Sequence, residues 1–227
     1  EKRLENLKFN MPILYSFKRC PYAMRARMAL YLSDISCELR EVSLKNKPPS
    51  MIKLSPKGTV PVMLLENGKV IDESIDIINW CLEQKFFFED KLSKSETLYT
   101  ESTISLFDST FKFHLDRYKY SSRYNDVDES YHRECCFNIL KEIELYINDS
   151  NHDWFFTNSI NKIDIAILPF IRQFRIANSE WFDNNEEIPK VKKWLSKFLK
   201  STILKNVMIN YKVWDEDSPV SLFPISQ

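Results

Sequence analysis

The chain has 227 residues, with 32 basic side chains against 32 acidic ones and only two glycines, Gly58 and Gly68. At an average usage of about 7% a chain this long would carry roughly 16 glycines. Balanced charge offers no field to draw nucleic acid or an anionic membrane, and two isolated glycines make neither a P-loop nor a dinucleotide fingerprint, both of which wrap backbone closely round phosphate. Hydrophobic residues make up 44% and aromatic residues 14%, so a large, ring-rich core is expected in one large domain or two small ones.

The chain begins with a short charged stretch. Residues 1–10 carry no signal-peptide apolar segment, and no run anywhere approaches the roughly 20 apolar residues of a membrane span. A cytoplasmic protein without membrane contact is expected. Its five cysteines would then be thiols, and the sequon Asn148-Asp149-Ser150 would carry no sugar. Residues 13–17 are a short apolar run that predicts a buried strand. Residues 21–32 predict a helix with Pro21 in its first turn. Residues 37–44 alternate Leu39, Val42 and Leu44 with polar neighbours, a second strand. Residues 48–54 predict a short helix or turn. Strands at 60–65 and 69–71 flank Glu66-Asn67-Gly68, and Asn-Gly between two such runs is a strong hairpin signal. Asp72-Glu73-Ser74 opens a helix to about 84, with Ile75, Ile78, Trp80 and Leu82 expected on its apolar side.

This order is β-α-β-α-β-β-α. Helices between the early strands imply a parallel pair, and the hairpin adds antiparallel strands. A small mixed sheet over residues 10–85 is expected, then a linker at 86–94 and an all-helical domain at 95–227. In that second part residues 95–120, 129–148 and 190–204 show helical spacing. No strand is evident there, and the tail from Trp214, with Pro219 and Pro224, reads as irregular. Asn161 and Asp164 form a capping-box arrangement, with Ile160 and Ile165 placed as a hydrophobic staple. Pro169 lies within the helix that follows, and a kink is expected there.

Three short segments carry chemistry. Arg19-Cys20-Pro21-Tyr22-Ala23 lies at a strand-to-helix junction. A cysteine there aims its sulfur at the unpaired N–H groups of a helix start, which stabilise thiolate over thiol. Arg19 and Arg25 would add positive potential. Ala23 stands where a dithiol oxidoreductase has its second cysteine, so the oxidised partner of Cys20 must be another molecule. At Thr59-Val60-Pro61, a cis Val60-Pro61 bond would present the Val60 backbone to an extended, peptide-like ligand, and Gly58 permits a backbone closed to other residues. At Glu73-Ser74 a helix start, a hydroxyl and a carboxylate converge, which suits an α-amino acid head group as well as it suits a plain helix cap.

Residues 12–84, through these motifs and through Leu44-Lys45-Asn46-Lys47-Pro48, resemble the thioredoxin-like domain of the glutathione S-transferases, in particular the cysteine-type, omega-like members. The resemblance implies a thioredoxin-like βαβαββα domain followed by an all-helical one, and a homodimer. It implies glutathione as cosubstrate: Cys20 the nucleophile that forms a mixed disulfide, Tyr22 beside the sulfur, Val60 and Pro61 on the cysteinyl backbone, Lys47 toward the glycyl carboxylate, Glu73 and Ser74 on the γ-glutamyl head. It points to thiol transfer or reduction of glutathionylated or dehydroascorbate-like substrates, with weak conjugation of electrophiles. A non-catalytic binding or regulatory protein on the same fold is the alternative. Tyr99, Phe107, Phe111 and the tail around Trp214 are candidates for the second-substrate pocket, although core packing is the ordinary use of such residues.

The other polar clusters carry less. His132, Cys135 and Cys136 fall within one helical turn but lack a second pair, so no metal is expected. Cys81 reads as core, Cys37 as partly exposed, His114 as a surface residue and the lysines from Lys190 to Lys200 as a solvated helix face.

Overall fold

A computed structural model describes residues 11–147 and 152–225. The expectations for residues 1–10 and for the sequon at 148–150 lie outside the described residues, and the helix expected over 129–148 ends at Tyr146, with Ile147 extended. The chain divides into two compact units, residues 1–87 with 201–227, and residues 88–200.

The first unit is built on a five-stranded sheet in the order β4-β3-β1-β2-β5. Its strands are β1 (Ile13–Ser16), β2 (Cys37–Glu41), β3 (Val62–Leu64), β4 (Val70–Ile71) and β5 (Leu222–Phe223). β1 runs parallel to β2, with Ile13 opposite Glu38, because helix α1 (Pro21–Ser33) carries the chain back between them. β3 lies antiparallel to β1 and β4 antiparallel to β3, as the hairpin signal requires. Gly68 sits in that turn at φ +84° with open space where a side chain would stand, so only backbone conformation demands glycine there. Every residue of β1 is buried, as expected of a strand covered on both faces.

Helix α2 (Pro49–Leu54) is short, and α3 (Ser74–Gln84) follows the hairpin. The buried face of α3 is Ser74, Ile77, Ile78 and Cys81, the i, i+3, i+4, i+7 stripe of an amphipathic helix. Of the four residues assigned to that side from sequence, only Ile78 is buried, while Ile75, Trp80 and Leu82 are half-buried. Cys37, expected to be partly exposed, is fully buried because β2 directs it into the core.

The tail corrects the sequence reading. β5 pairs antiparallel with β2, Cys37 opposite Phe223, and Phe223 is buried. The tail therefore covers an otherwise open sheet edge. Helix α10 (Thr202–Val207) also belongs to this unit, where Asn206 Nδ2 donates to the Tyr31 hydroxyl at 3.2 Å. Residues 201–227, grouped from sequence with the helices, thus fall in the sheet unit.

The second unit contains α4 (Lys94–Leu106), α5 (Lys112–Lys119), α6 (Glu129–Tyr146), α7 (Lys162–Ala177), α8 (Ser179–Asn184) and α9 (Pro189–Lys200). The helix expected over 95–120 is interrupted by a π-helical turn at Phe107–Phe111. The helix expected over 190–204 breaks at Ser201, whose hydroxyl accepts from Leu204 N–H and caps α10. The α7 start follows the capping signal: Asp164 accepts from the Asn161 N–H at 2.7 Å. Asp164 is fully buried and also accepts from Phe155 N–H at 3.0 Å and Trp194 Nε1 at 2.7 Å. Helix α7 continues through Pro169, itself buried along with the residues on either side.

Candidate functional site

The site is assembled from element ends in the sheet unit. Phe17-Lys18-Arg19-Cys20 make a turn closed by Cys20 N–H donating to Phe17 C=O at 2.9 Å. Cys20 is the N-cap of α1, with Pro21 the first helical residue. Proline has no N–H to waste at that position and its φ suits the helix start. Cys20 is half-buried. Its side chain makes no capping hydrogen bond; the thiol Sγ lies 3.7 Å from the Val60 carbonyl oxygen and can donate to it. This differs from the expected aim at the helix N–H groups, for a reason of charge. A thiol has a proton to give a carbonyl, whereas a thiolate has none and is attracted by N–H donors instead.

Val60-Pro61 is cis, as the motif suggested. The preceding Gly58 has φ +64°. A side chain there would start 3.2 Å from Ile52 Cδ1 and 3.6 Å from Lys47 Nζ. The Lys47 ammonium therefore lies over the Gly58 backbone, which links two residues the sequence reading named separately.

At the third corner Glu73 is the N-cap of α3 and is exposed, while Ser74 opens the helix and is buried. Arg25, fully buried on α1, donates from Nη1 to Ser74 Oγ at 3.3 Å. Its guanidinium lies 5.3 Å from the centre of the Tyr22 ring. A buried cation behind a helix N-terminus adds to the positive potential of that terminus. Glu73 Oε1 accepts from Lys57 Nζ at 2.5 Å, and Lys57 also donates to the Asp72 carbonyl at 2.6 Å. The loop is braced by Ser55 Oγ donating to Asp72 Oδ2 at 2.6 Å. Neither Lys57 nor the Ser55–Asp72 bond was singled out from sequence. Arg19, expected to act with Arg25, is exposed over the Phe17 ring.

These corners offer a sulfur, backbone at Val60, one helix start at Cys20 and another at Ser74, a carboxylate and two ammonium groups.

Residues 14–89 match the family model described as glutathione S-transferase, N-terminal domain. Over these residues the sheet unit is a glutathione S-transferase N-terminal domain. Among curated relatives it is similar to glutathione S-transferase omega-1 of Rattus norvegicus, 25% identical over 88% of this chain and 82% of the relative. Among solved structures it resembles a Tau class glutathione S-transferase from mango, Mangifera indica, at TM-score 0.76 and 22% identity over 88% of this chain and 93% of the other. It also resembles a glutathione transferase family member from Pseudomonas fluorescens, solved with two glutathione bound, at TM-score 0.73 and 18% identity over 87% and 92%. The thioredoxin-like sheet followed by helices is the glutathione S-transferase fold.

The other cysteines are set apart from Cys20. Burial pushes the Cys37, Cys81 and Cys136 thiols far above their ordinary range, so none of them ionises near neutral pH. Cys135 is half-buried. The pocket candidates divide as core residues do. Phe107 and Phe111 are fully buried and stack at 4.2 Å. Tyr99 stacks on Tyr146 and Phe155. Trp214 packs on the Tyr15 ring, under the Arg40 guanidinium 4.2 Å from its centre.

In the helical unit His114 is not an isolated surface residue. Its Nδ1 faces His132 Nδ1 at 2.7 Å. Histidines 18 positions apart give no local sequence signal, so only the packing of α5 on α6 reveals the pair. Among the described residues no group of three or more His, Cys, Asp or Glu side chains could hold a metal ion, and no helix is long and apolar enough to cross a membrane.

Proposed function

We propose that this chain is a cysteine-type, glutathione-dependent thiol transferase with Cys20 as its nucleophile. The observation that carries the reading is the half-buried Cys20 as N-cap of α1 with its sulfur against the Val60 backbone. A serine or tyrosine hydroxyl at this position would hold a glutathione thiolate by donating to it. A cysteine is a poor donor and a good nucleophile.

Cys20 thiolate attacks the glutathionyl sulfur of a mixed disulfide. The substrate sulfur leaves as thiolate and takes a proton from solvent, and glutathione remains disulfide-bonded to Cys20. A second glutathione thiolate attacks that glutathionyl sulfur, which releases glutathione disulfide and returns the Cys20 thiolate. Reduction of a dehydroascorbate-like diketone follows the same balance, with two glutathione thiols oxidised while the substrate gains two electrons and two protons. Val60 and Pro61 hold the cysteinyl part of glutathione by strand-like backbone pairing, and Tyr22 stands beside the sulfur. Ser74 and the α3 start, backed by Arg25, take the γ-glutamyl carboxylate. Glu73 takes its ammonium, and Lys47 lies toward the glycyl carboxylate. Glu73 is held by Lys57, so a bound ammonium must share that carboxylate or displace the lysine. The same ion pair is what a non-catalytic relative with a closed site would show. A cytoplasmic homodimer completes the reading.

The test is intact mass after incubation with glutathione disulfide. A single glutathione adduct is expected on the native protein and none on Cys20→Ser. No adduct on the folded native protein would leave the non-catalytic alternative standing.

A further inference from the structure

Cys20 owes its direction to a turn that is itself held from behind. Lys18, inside the turn, has both of its peptide groups bound by one ion pair. Its N–H donates to Glu41 Oε1 at 2.7 Å, and its C=O accepts from Arg27 Nη2 at 2.6 Å. Arg27 Nη1 lies 3.8 Å from Glu41 Oε2, and the two side chains are 1% and 9% exposed. Arg27 comes from α1 and Glu41 from the end of β2, so the pair ties the turn to both elements that flank it.

A buried ion pair is weak evidence of stabilisation, since apolar packing of similar volume often serves as well. What apolar packing lacks is direction. It has no acceptor for Lys18 N–H and no donor for Lys18 C=O. Burial pushes the Glu41 carboxyl upward, against the Lys18 N–H bond and the Arg27 cation, so the fold tolerates a desolvated carboxylate to keep this geometry. Helix-end stabilisation fades within the first turn, and a 1 Å misplacement of a reacting group costs about 100-fold in rate.

We propose that Arg27 and Glu41 are positioning residues for Cys20: by gripping the two peptide groups of Lys18 they fix the turn that sets the sulfur at the α1 start. This rests on the reading of Cys20 as the reactive sulfur, though not on the identity of the substrate.

The experiment compares native protein with Glu41→Leu, Glu41→Gln and Arg27→Lys, each checked for fold by circular dichroism. Two readouts need no glutathione: amide hydrogen exchange at Lys18 and Cys20, and the pH profile of Cys20 alkylation by iodoacetamide. Loss of one charge-assisted hydrogen bond should raise exchange and lower neutral-pH alkylation by about tenfold in Glu41→Leu, with the alkylation midpoint moved up. Glu41→Gln keeps an acceptor oxygen and should recover most of both. Arg27→Lys keeps the charge without the fork and should resemble Glu41→Leu, which decides the matter if Glu41→Leu does not fold. Native exchange and a native alkylation profile in folded Glu41→Leu or Arg27→Lys would overturn the inference. The glutathione adduct is measured separately: altered exchange and alkylation without any native adduct would sink the proposed function and leave the positioning role standing.

Discussion

The two units keep their chemistry in different places. In the sheet unit the groups of interest stand at element ends: Cys20 and Ser74 at helix starts, Val60 just before a strand, Lys47 and Gly58 in the loops around α2. In the helical unit the notable polar groups lie between or beneath helices, as Asp164 and the His114–His132 pair do. An element end leaves backbone donors and acceptors uncommitted, so a ligand can use them. A helix interior has none to spare, so its polar side chains are spent on holding helices together. The sheet unit leaves backbone groups open at its element ends, and the polar groups named in the helical unit serve packing.

Three perturbations press on that contrast. The largest effect belongs to Asp164→Ala. It leaves three buried donors, Phe155 N–H, Asn161 N–H and Trp194 Nε1, without their acceptor, at about 1–3 kcal/mol each. A loss of about 3 kcal/mol or more is expected in denaturant unfolding. A loss below about 1 kcal/mol would mean that water replaces the carboxylate and that the helical unit does not depend on it. Asp164→Asn should recover part of the loss, because one oxygen still accepts.

Gly58→Ala comes next. Positive φ penalises any side chain by about 1–2 kcal/mol, and the new methyl would crowd Ile52 and Lys47. Stability should fall by about that amount, and glutathione adduct formation should weaken further because Lys47 is displaced. Gly68→Ala meets open space and should show the backbone penalty alone. Equal effects on adduct formation would remove the link between Gly58, Lys47 and the ligand.

The smallest effect is one of pH. Facing Nδ1 atoms at 2.7 Å share one proton and have no room for two. Desolvation, first, and then the neighbouring His132 and Arg117 cations lower the His114 pKa. Desolvation and Arg117 lower that of His132, against the pull of Asp128. Lowered pKa values mean that the unfolded chain binds more protons below about 6.5, so the stability they carry is present above that pH and lost as pH falls through it. Thermal midpoints should therefore drop between neutral pH and about 5.5, and His114→Gln should flatten part of that dependence. An unchanged slope would show that the pair opens without consequence.

Much of the site was legible because its signals are local. Cys20-Pro21 encodes a helix start, Gly58-x-Val60-Pro61 a constrained approach to a strand, and Asn67-Gly68 a hairpin. Asn161 and Asp164 likewise gave the start of α7 from four consecutive residues. What stayed hidden depended on distant partners. Nothing near Glu73 announced Lys57, nothing near Lys18 announced Glu41 and Arg27, and the apolar stripe of α3 was misplaced because Ile75, Trp80 and Leu82 are as hydrophobic as the residues that are buried. Leu222 and Phe223 form a strand only because β2 has an edge to pair with, and two residues between prolines have no periodicity to show.

The sequence by itself determined most of the element order and the turn and cap positions, and it placed Cys20 at a helix start, since these follow from the conformational limits of proline and glycine and from the hydrogen-bonding needs of helix ends. Only the tertiary structure decided where the tail goes, which cysteines are buried, how the two histidines meet and what holds the Cys20 turn. Those outcomes rest on groups from nine to nearly two hundred positions apart, whose pairing is set by packing and desolvation.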